Sequence, residues 1–388
     1  MPGDETGECE QTSPGRPLDV LIVSLGATEG LRRADDELHD SLRRAGARVA
    51  MVRARAPART RTLMLTDLAW ARAARAATLE ALGEMRDRPP RAIVYSSTTA
   101  ALLWPRPGAI RFDATSAGNR PGRHGLWQRP LERRRLAQAP LLLPWSEGAL
   151  HELPSAARRG ESALVVPVPV EPSTGPAGQG SAEAQPTRHA GKPDGDEPDA
   201  GAPAPARDIA AITYAANPAK KGLDRVLAAW RGVYGELPAG GPRELVVAGA
   251  DEQELRAAGV DTRALHHVRL VGRLPQVEYR ALVRRARVFV CAPRREDYGI
   301  AQLEALADGC VLVSTPAPGP YVALSIARSL EAQLVNEDLE GALRAALLRP
   351  PADYAARALQ ALAPFKREAI DRLVTSRLLS CLLDHGAG

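Results

Sequence analysis

With 388 residues the chain is long enough for two domains that each bury a core. Apolar residues at 45% and charged residues at 25% describe a soluble globular protein and exclude a chain too polar to fold. The net charge of +5 comes from Arg interspersed with acids. The densest basic run, Arg133-Arg134-Arg135, has no interleaved aromatics on which bases would stack, so no nucleic-acid partner is expected.

Residues 1–16 are polar and acidic, unlike a secretory signal, and read as a disordered tail. No apolar run approaches membrane-spanning length, so a cytoplasmic location is the expectation. Peripheral contact with an anionic membrane surface stays open as a use of the excess basic charge. Leu18–Leu25 reads as a buried strand leading into a loop with Gly26 and Gly30. A helix over 34–45 is closed by Gly46, and a second strand spans 48–53. Strands at 91–95, 109–112, 140–144 and 163–168, with helices around 67–85 and 128–138, complete a first domain over 17–170.

Between Val170 and Ile209 there is no Val, Ile, Leu, Met, Phe, Trp or Tyr. Residues 171–207 therefore read as a flexible linker, since they cannot bury enough surface to offset their ordering entropy. Asp194-Gly195-Asp196 inside it mimics a metal-binding pattern by chance. Strands are expected next at 209–214, 244–248, 268–271, 287–292 and 311–314, with helices at 222–235, 275–286, 299–308 and 321–330. They form a second domain over 208–350. Residues 351–388 are amphipathic and helical, and read equally as a cap on the second domain or as a segment returning to the first. The four cysteines, Cys9, Cys291, Cys310 and Cys381, form no CxxC pair and read as reduced, structural thiols. Strands alternating with helices in both halves imply parallel sheets. The fold class is α/β, two Rossmann-like, doubly wound domains facing across a cleft, with ligands at the carboxyl ends of the strands.

The chemistry concentrates after the strand 287–292. Glu296 lies in the following loop, Gly299 opens a helix, and Glu304 lies within its first two turns. Free amides at a helix start favour a phosphate, and two carboxylates can accept from hydroxyl groups of the same ligand. Spacing alone proves nothing, because Glu244 and Glu252 share it. A second strand–loop–helix unit, Tyr214–Leu227, adds Lys220 and Lys221 before Gly222, and a lysine there can neutralise a leaving diphosphate.

Together with Val246-Val-Ala-Gly249, Val268-Arg-Leu-Val-Gly272 and Glu296-Asp-Tyr-Gly-Ile-Ala-Gln-Leu-Glu-Ala-Leu-Ala-Asp-Gly309, these residues resemble the donor domain of the retaining GT-B glycosyltransferases of family four, also called group 1. The resemblance covers residues 209–330; over 17–170 only the strand–Gly-loop opening and the α/β pattern agree. It implies a two-domain GT-B architecture and a retaining transfer of a hexose from a nucleotide-diphosphate sugar to a hydroxyl acceptor. It implies roles too: Glu296 on the donor sugar, Glu304 on the ribose, and Lys221 on the diphosphate. Tyr298, Gly299 and Ile300 would help through backbone, with Lys220, Gly222 and Gly249 lining the donor site. No cofactor or metal is implied. Two positions depart from the pattern: Ala216 stands where an Arg is common, and Ala292-Pro293 replaces Pro-Ser. Candidates on the acceptor side are Gly26, Gly30 and His124. The rival readings are a GT-B-shaped nucleotide-sugar epimerase or hydrolase, and a non-catalytic nucleotide-sugar or glycan binder.

Overall fold

The computed structural model of the protein describes residues 17–58, 60–157, 162–173, 207–261 and 265–385. The N-terminal tail with Cys9 and linker residues 174–206 lie outside the described residues. The chain divides into one unit of residues 1–168 with 370–388, and a second of residues 169–369.

In the first unit five parallel strands, β1 (Val20–Ser24), β2 (Val49–Arg53), β3 (Ala92–Tyr95), β4 (Ala109–Phe112) and β5 (Leu142–Pro144), lie in the order β2-β1-β3-β4-β5. Every residue of β1, β3, β4 and β5 is buried, as expected when helices cover both sheet faces. Alternate residues feed two cores. Leu21, Val23, Ile93 and Phe112 pack on one side, Val20, Ile22, Val94 and Leu143 on the other.

The second core also receives Ile370, Val374, Leu378 and Leu382 from the C-terminal helices. Asp371 accepts from Ser41 Oγ at 2.5 Å and from Arg44 at 2.7 and 2.9 Å. The C-terminal segment thus divides: the helix Tyr354–Ala361 belongs to the second unit, and residues from 370 onward pack on the first.

Residues 163–168 do not form the expected strand. Leu164 N donates to Leu142 O and Val166 N to Pro144 O, but Pro144 has no N–H with which to return the bond, so the ladder stops at a single bridge. Gly30 is not in a loop either: it is the second residue of the helix Glu29–Arg44, which Thr28 caps by accepting from Leu31 N.

The second unit has β6 (Ile209–Tyr214), β7 (Leu245–Ala248), β8 (Val268–Gly272), β9 (Ala286–Cys291) and β10 (Val311–Ser314), all parallel, in the order β10-β9-β6-β7-β8. The chain steps outward from β6 to β8, then jumps back to lay β9 against the other side of β6. Loops leaving the carboxyl ends of β6 and β9 therefore lie side by side at the topological switch point, the place at which such sheets bind ligands. A helix that the sequence pattern does not announce, Leu339–Leu348, is capped by the Asp338 carboxylate and packs on the helix Leu223–Tyr234. Among the described residues, no helix is long and apolar enough to cross a membrane.

Candidate donor site

The switch point carries both sequence motifs. After β6, the Asn217 side chain accepts from Lys220 N at 3.0 Å and Pro218 fills the first turn, so Pro218–Lys221 closes into a short helix where a loop was expected. Gly222, at φ +65°, breaks that helix from Leu223–Tyr234, the helix expected over 222–235. A Cβ on Gly222 would lie 1.9 Å from Ala292 O, so the bare glycine is what lets the lysine turn sit against the end of β9.

After β9, the residues 293–298 lead to Gly299 at φ +91° and the helix Ile300–Ala307. No side chain caps this helix, so its leading amides have no side-chain partner at the cap. A Cβ on Gly299 would meet the Tyr321 ring at 2.7 Å. The Tyr321 hydroxyl lies 3.5 Å from Cys291 Sγ and 3.4 Å from Ser314 Oγ, and burial pushes both the phenol and the thiol above their ordinary values. Cys310 is pushed up to about 12 by burial, so neither of these thiols is an activated nucleophile.

Between the two loops, 75 residues apart in sequence, Lys221 Nζ meets Glu296 Oε2 at 2.5 Å. Gln302 Nε2 approaches the same oxygen at 3.3 Å. Alongside, Lys220 Nζ and Arg295 Nε converge on Asp297 at 3.0 and 2.9 Å. Three cations and two carboxylates thus gather at the switch point, leaving one excess positive charge. Arg294 points elsewhere: its guanidinium pairs with Asp224 at 3.0 and 2.7 Å and donates to Ala219 O. Of the cations in these two loops, Lys220 and Arg295 pair with Asp297, while Arg294 is committed to Asp224 on the helix Leu223–Tyr234. Replacing Lys220 by Ala is expected to weaken nucleoside-diphosphate binding about three- to tenfold, the exposed ammonium losing part of its charge-assisted bond to screening. Arg294→Ala should change it less than about twofold. Calorimetric titration of both variants checks this, and equal losses would refute the division.

Glu304 is 3% exposed and is held from the neighbouring helix Gln276–Arg285. Gln276 Nε2 donates to its Oε1 at 3.0 Å, and Arg280 Nη1 lies 3.6 Å from the same atom. Gly249, at φ +94°, ends β7 against the Tyr214 ring and donates to Gly272 O at 2.7 Å. Glu244 and Glu252, which share the spacing, are separated by the length of β7. Glu244 precedes the strand and pairs with Arg269, while Glu252 begins an exposed helix and pairs with Arg256. Strand polarity is what distinguishes the two pairs.

Sequence reasoning missed Gln276, Arg280, Asp297 and Gln302 as site residues. The signal for Gln276 and Arg280 is a matched i,i+4 pair facing Glu304 and Asp308 on the adjacent helix. In the first unit Gly26 follows β1 at φ +56°. His124 sits exposed in a 3₁₀ turn, Gly122–Gly125. Nothing in the described first unit gathers these acceptor-side candidates into one cluster.

Residues 199–335 match the family model of the glycosyl transferases group 1. The matched residues lie within the second unit of the chain. A GDP-mannose:cellobiosyl-diphosphopolyprenol alpha-mannosyltransferase from Xanthomonas oryzae pv. oryzae is 34% identical over 98 residues, 24% of this chain and 25% of that protein. The match thus spans a quarter of that relative's length. Among solved structures, the lipopolysaccharide glycosyltransferase WaaG is 16% identical with a TM-score of 0.56, over 96% of this chain and 100% of WaaG. HepE from Anabaena, solved with UDP-glucose, is 11% identical with a TM-score of 0.59, over 94% and 100%. Sucrose-phosphate synthase from Thermosynechococcus elongatus is 16% identical with a TM-score of 0.57, over 95% and 100%. These likenesses establish the two-domain α/β fold of the GT-B glycosyltransferases.

Proposed function

We propose that the protein is a retaining hexosyltransferase that moves a sugar from a nucleoside-diphosphate donor to a hydroxyl acceptor. The observation that carries the reading is the meeting of Lys221 and Glu296 beside the uncapped start of the helix Ile300–Ala307, at the switch point of the donor sheet. In this reading the diphosphate lies on the helix amides and on Lys221 and Lys220, Glu304 accepts from the ribose hydroxyls, and Glu296 accepts from a hydroxyl of the donor sugar. The bond between the anomeric carbon and the β-phosphate oxygen breaks, and its electron pair leaves with the diphosphate. The acceptor oxygen bonds to the anomeric carbon on the vacated face, and its proton passes to the departing phosphate. Fixed amide dipoles and lysines at the leaving group contribute several kcal/mol in sites of this kind.

The charge on the diphosphate is met by side chains and amides, so the reading assigns no divalent cation to the step. Transfer is expected to proceed at an unchanged rate in excess EDTA; a loss restored by Mg²⁺ or Mn²⁺ would overturn that part. The identity of the base is approached from two relatives: the mannosyltransferase uses GDP-mannose by its name, and HepE was solved with UDP-glucose. The deciding experiment incubates purified protein with GDP- and UDP-hexoses and a panel of glycan, lipid-linked and small hydroxyl acceptors. Lipid-linked acceptors belong in the panel because the mannosyltransferase relative is named for one. Acceptor-dependent release of nucleoside diphosphate with a new glycoside supports transfer. Release without an acceptor would point to hydrolysis, and binding of nucleotide without turnover to a non-catalytic binder.

A further inference from the structure

The network behind Glu304 is denser than a ribose-binding carboxylate alone requires. Arg280 is 7% exposed, and its planar guanidinium is fixed on three sides. Nε donates to Asp308 Oδ2 at 2.6 Å, Nη2 donates to the carbonyl of Glu171 at 2.9 Å, and Nη1 faces Glu304 Oε1 at 3.6 Å. Because the fork is rigid, two anchored edges set where the third points. Asp308 is itself tied on its other oxygen, accepting from Ser173 N at 2.7 Å and from Ser173 Oγ at 2.8 Å. Arg284 adds a bond to that same hydroxyl at 2.6 Å. Burial disfavours the Arg280 cation, but the Asp308 bond and the charges of Glu304 and Asp308 outweigh it and raise its pKa above the ordinary value.

We infer that Arg280 is a positioning residue for nucleoside recognition: with Gln276 it holds Glu304 Oε1 from the side, so that the carboxylate meets a ribose diol in one orientation. The inference rests on the donor-site reading above. Arg280 touches no ligand in this account and acts only through Glu304. Its anchors, Asp308 and the carbonyl of Glu171, also fasten the segment Glu171–Ser173 to the same cluster. Glu171 reaches further, its Oε1 accepting from Arg367 N at 2.6 Å. A single guanidinium thus sits where the segment entering the second unit, the helix Gln276–Arg285 and the nucleoside carboxylate meet.

The test compares GDP and UDP with their 2′,3′-dideoxy analogues by calorimetry, on wild type, Arg280→Met, Glu304→Gln and the double variant. In wild type the ribose form should bind on the order of tenfold more tightly than the dideoxy form. Arg280→Met should shrink that gap to under about twofold by weakening the ribose form alone, as Glu304→Gln does, and the double variant should lose no more than either single one. Arg280→Lys, a milder change that keeps the charge but cannot hold all three anchors at once, should give an intermediate gap and carries the comparison if Arg280→Met does not fold. Equal weakening of ribose and dideoxy forms, or full additivity in the double variant, would show a merely structural Arg280 and overturn the inference while leaving the donor site standing. Failure of wild type to bind either nucleoside diphosphate would instead sink the donor-site reading, and the inference with it.

Discussion

Glu296→Gln is expected to reduce sugar transfer by about 10²-fold while leaving nucleoside-diphosphate affinity unchanged or a few-fold tighter. The opposite signs follow from the ion pair at 2.5 Å between Lys221 and Glu296. A diphosphate must draw Lys221 away from that carboxylate, and an amide at 296 removes the competition. Lys221 stays partly exposed while Glu296 is buried, and a pair open to solvent on one side is worth about 1 kcal/mol, which sets the gain at a few-fold. The sugar hydroxyl loses its charged acceptor in the same stroke, and removal of one fixed polar partner from a transition state costs about 10²- to 10³-fold. Steady-state rates and calorimetry on one preparation separate the two effects. A parallel loss of rate and of nucleotide affinity would mark Glu296 as scaffolding, and an unchanged rate would remove it from the site.

Gly222→Ala is expected to lower the melting temperature of the donor domain by on the order of 10 °C and to abolish high-affinity nucleotide binding. Two costs add. Holding a non-glycine residue at φ +65° costs about 1–2 kcal/mol, and a methyl group placed 1.9 Å from Ala292 O forces apart packed backbone at a further cost of about 1–3 kcal/mol. A domain of this size loses about 2–4 °C per kcal/mol. The displaced segment is the turn that carries Lys220 and Lys221, so function falls along with stability. Gly235→Ala is the control: Gly235 has φ −62° and no atom within 4 Å of an added Cβ, so that variant should melt within about 2 °C of wild type. Similar melting of the two variants would refute the account of close approach at Gly222.

Much of the donor domain is legible in the amino-acid pattern. The apolar runs Ile209–Tyr214, Leu245–Ala248 and Val311–Ser314 announce buried strands because parallel strands covered on both faces lack polar alternation. Glu296, Gly299 and Glu304 stand out as a unit because strand, loop and helix are contiguous in sequence. The lysine turn differs in form from the expected loop: Asn217 and Pro218 signal a helix start, and Gly222 ends the four-residue helix Pro218–Lys221 at once. The strand expected at 163–168 fails on Pro144, a residue in a different segment, whose missing N–H no local window over 163–168 can register.

The sequence by itself determined the alternation of strands and helices, the glycines that permit positive φ at 222 and 299, and which side chains are chemically able to serve a phosphorylated, polyhydroxylated ligand. Those properties depend on residue type and on neighbours a few positions away. Only the tertiary structure decided that β9 lies beside β6, and therefore that Lys221 reaches Glu296. It also decided that Arg280 faces Glu304 and Asp308, that Arg294 is spent on Asp224, and that the C-terminal segment divides near residue 370 between the two units. Strand order and helix facing are set by which buried surfaces fit together across the whole chain, and local periodicity carries no record of partners that far away.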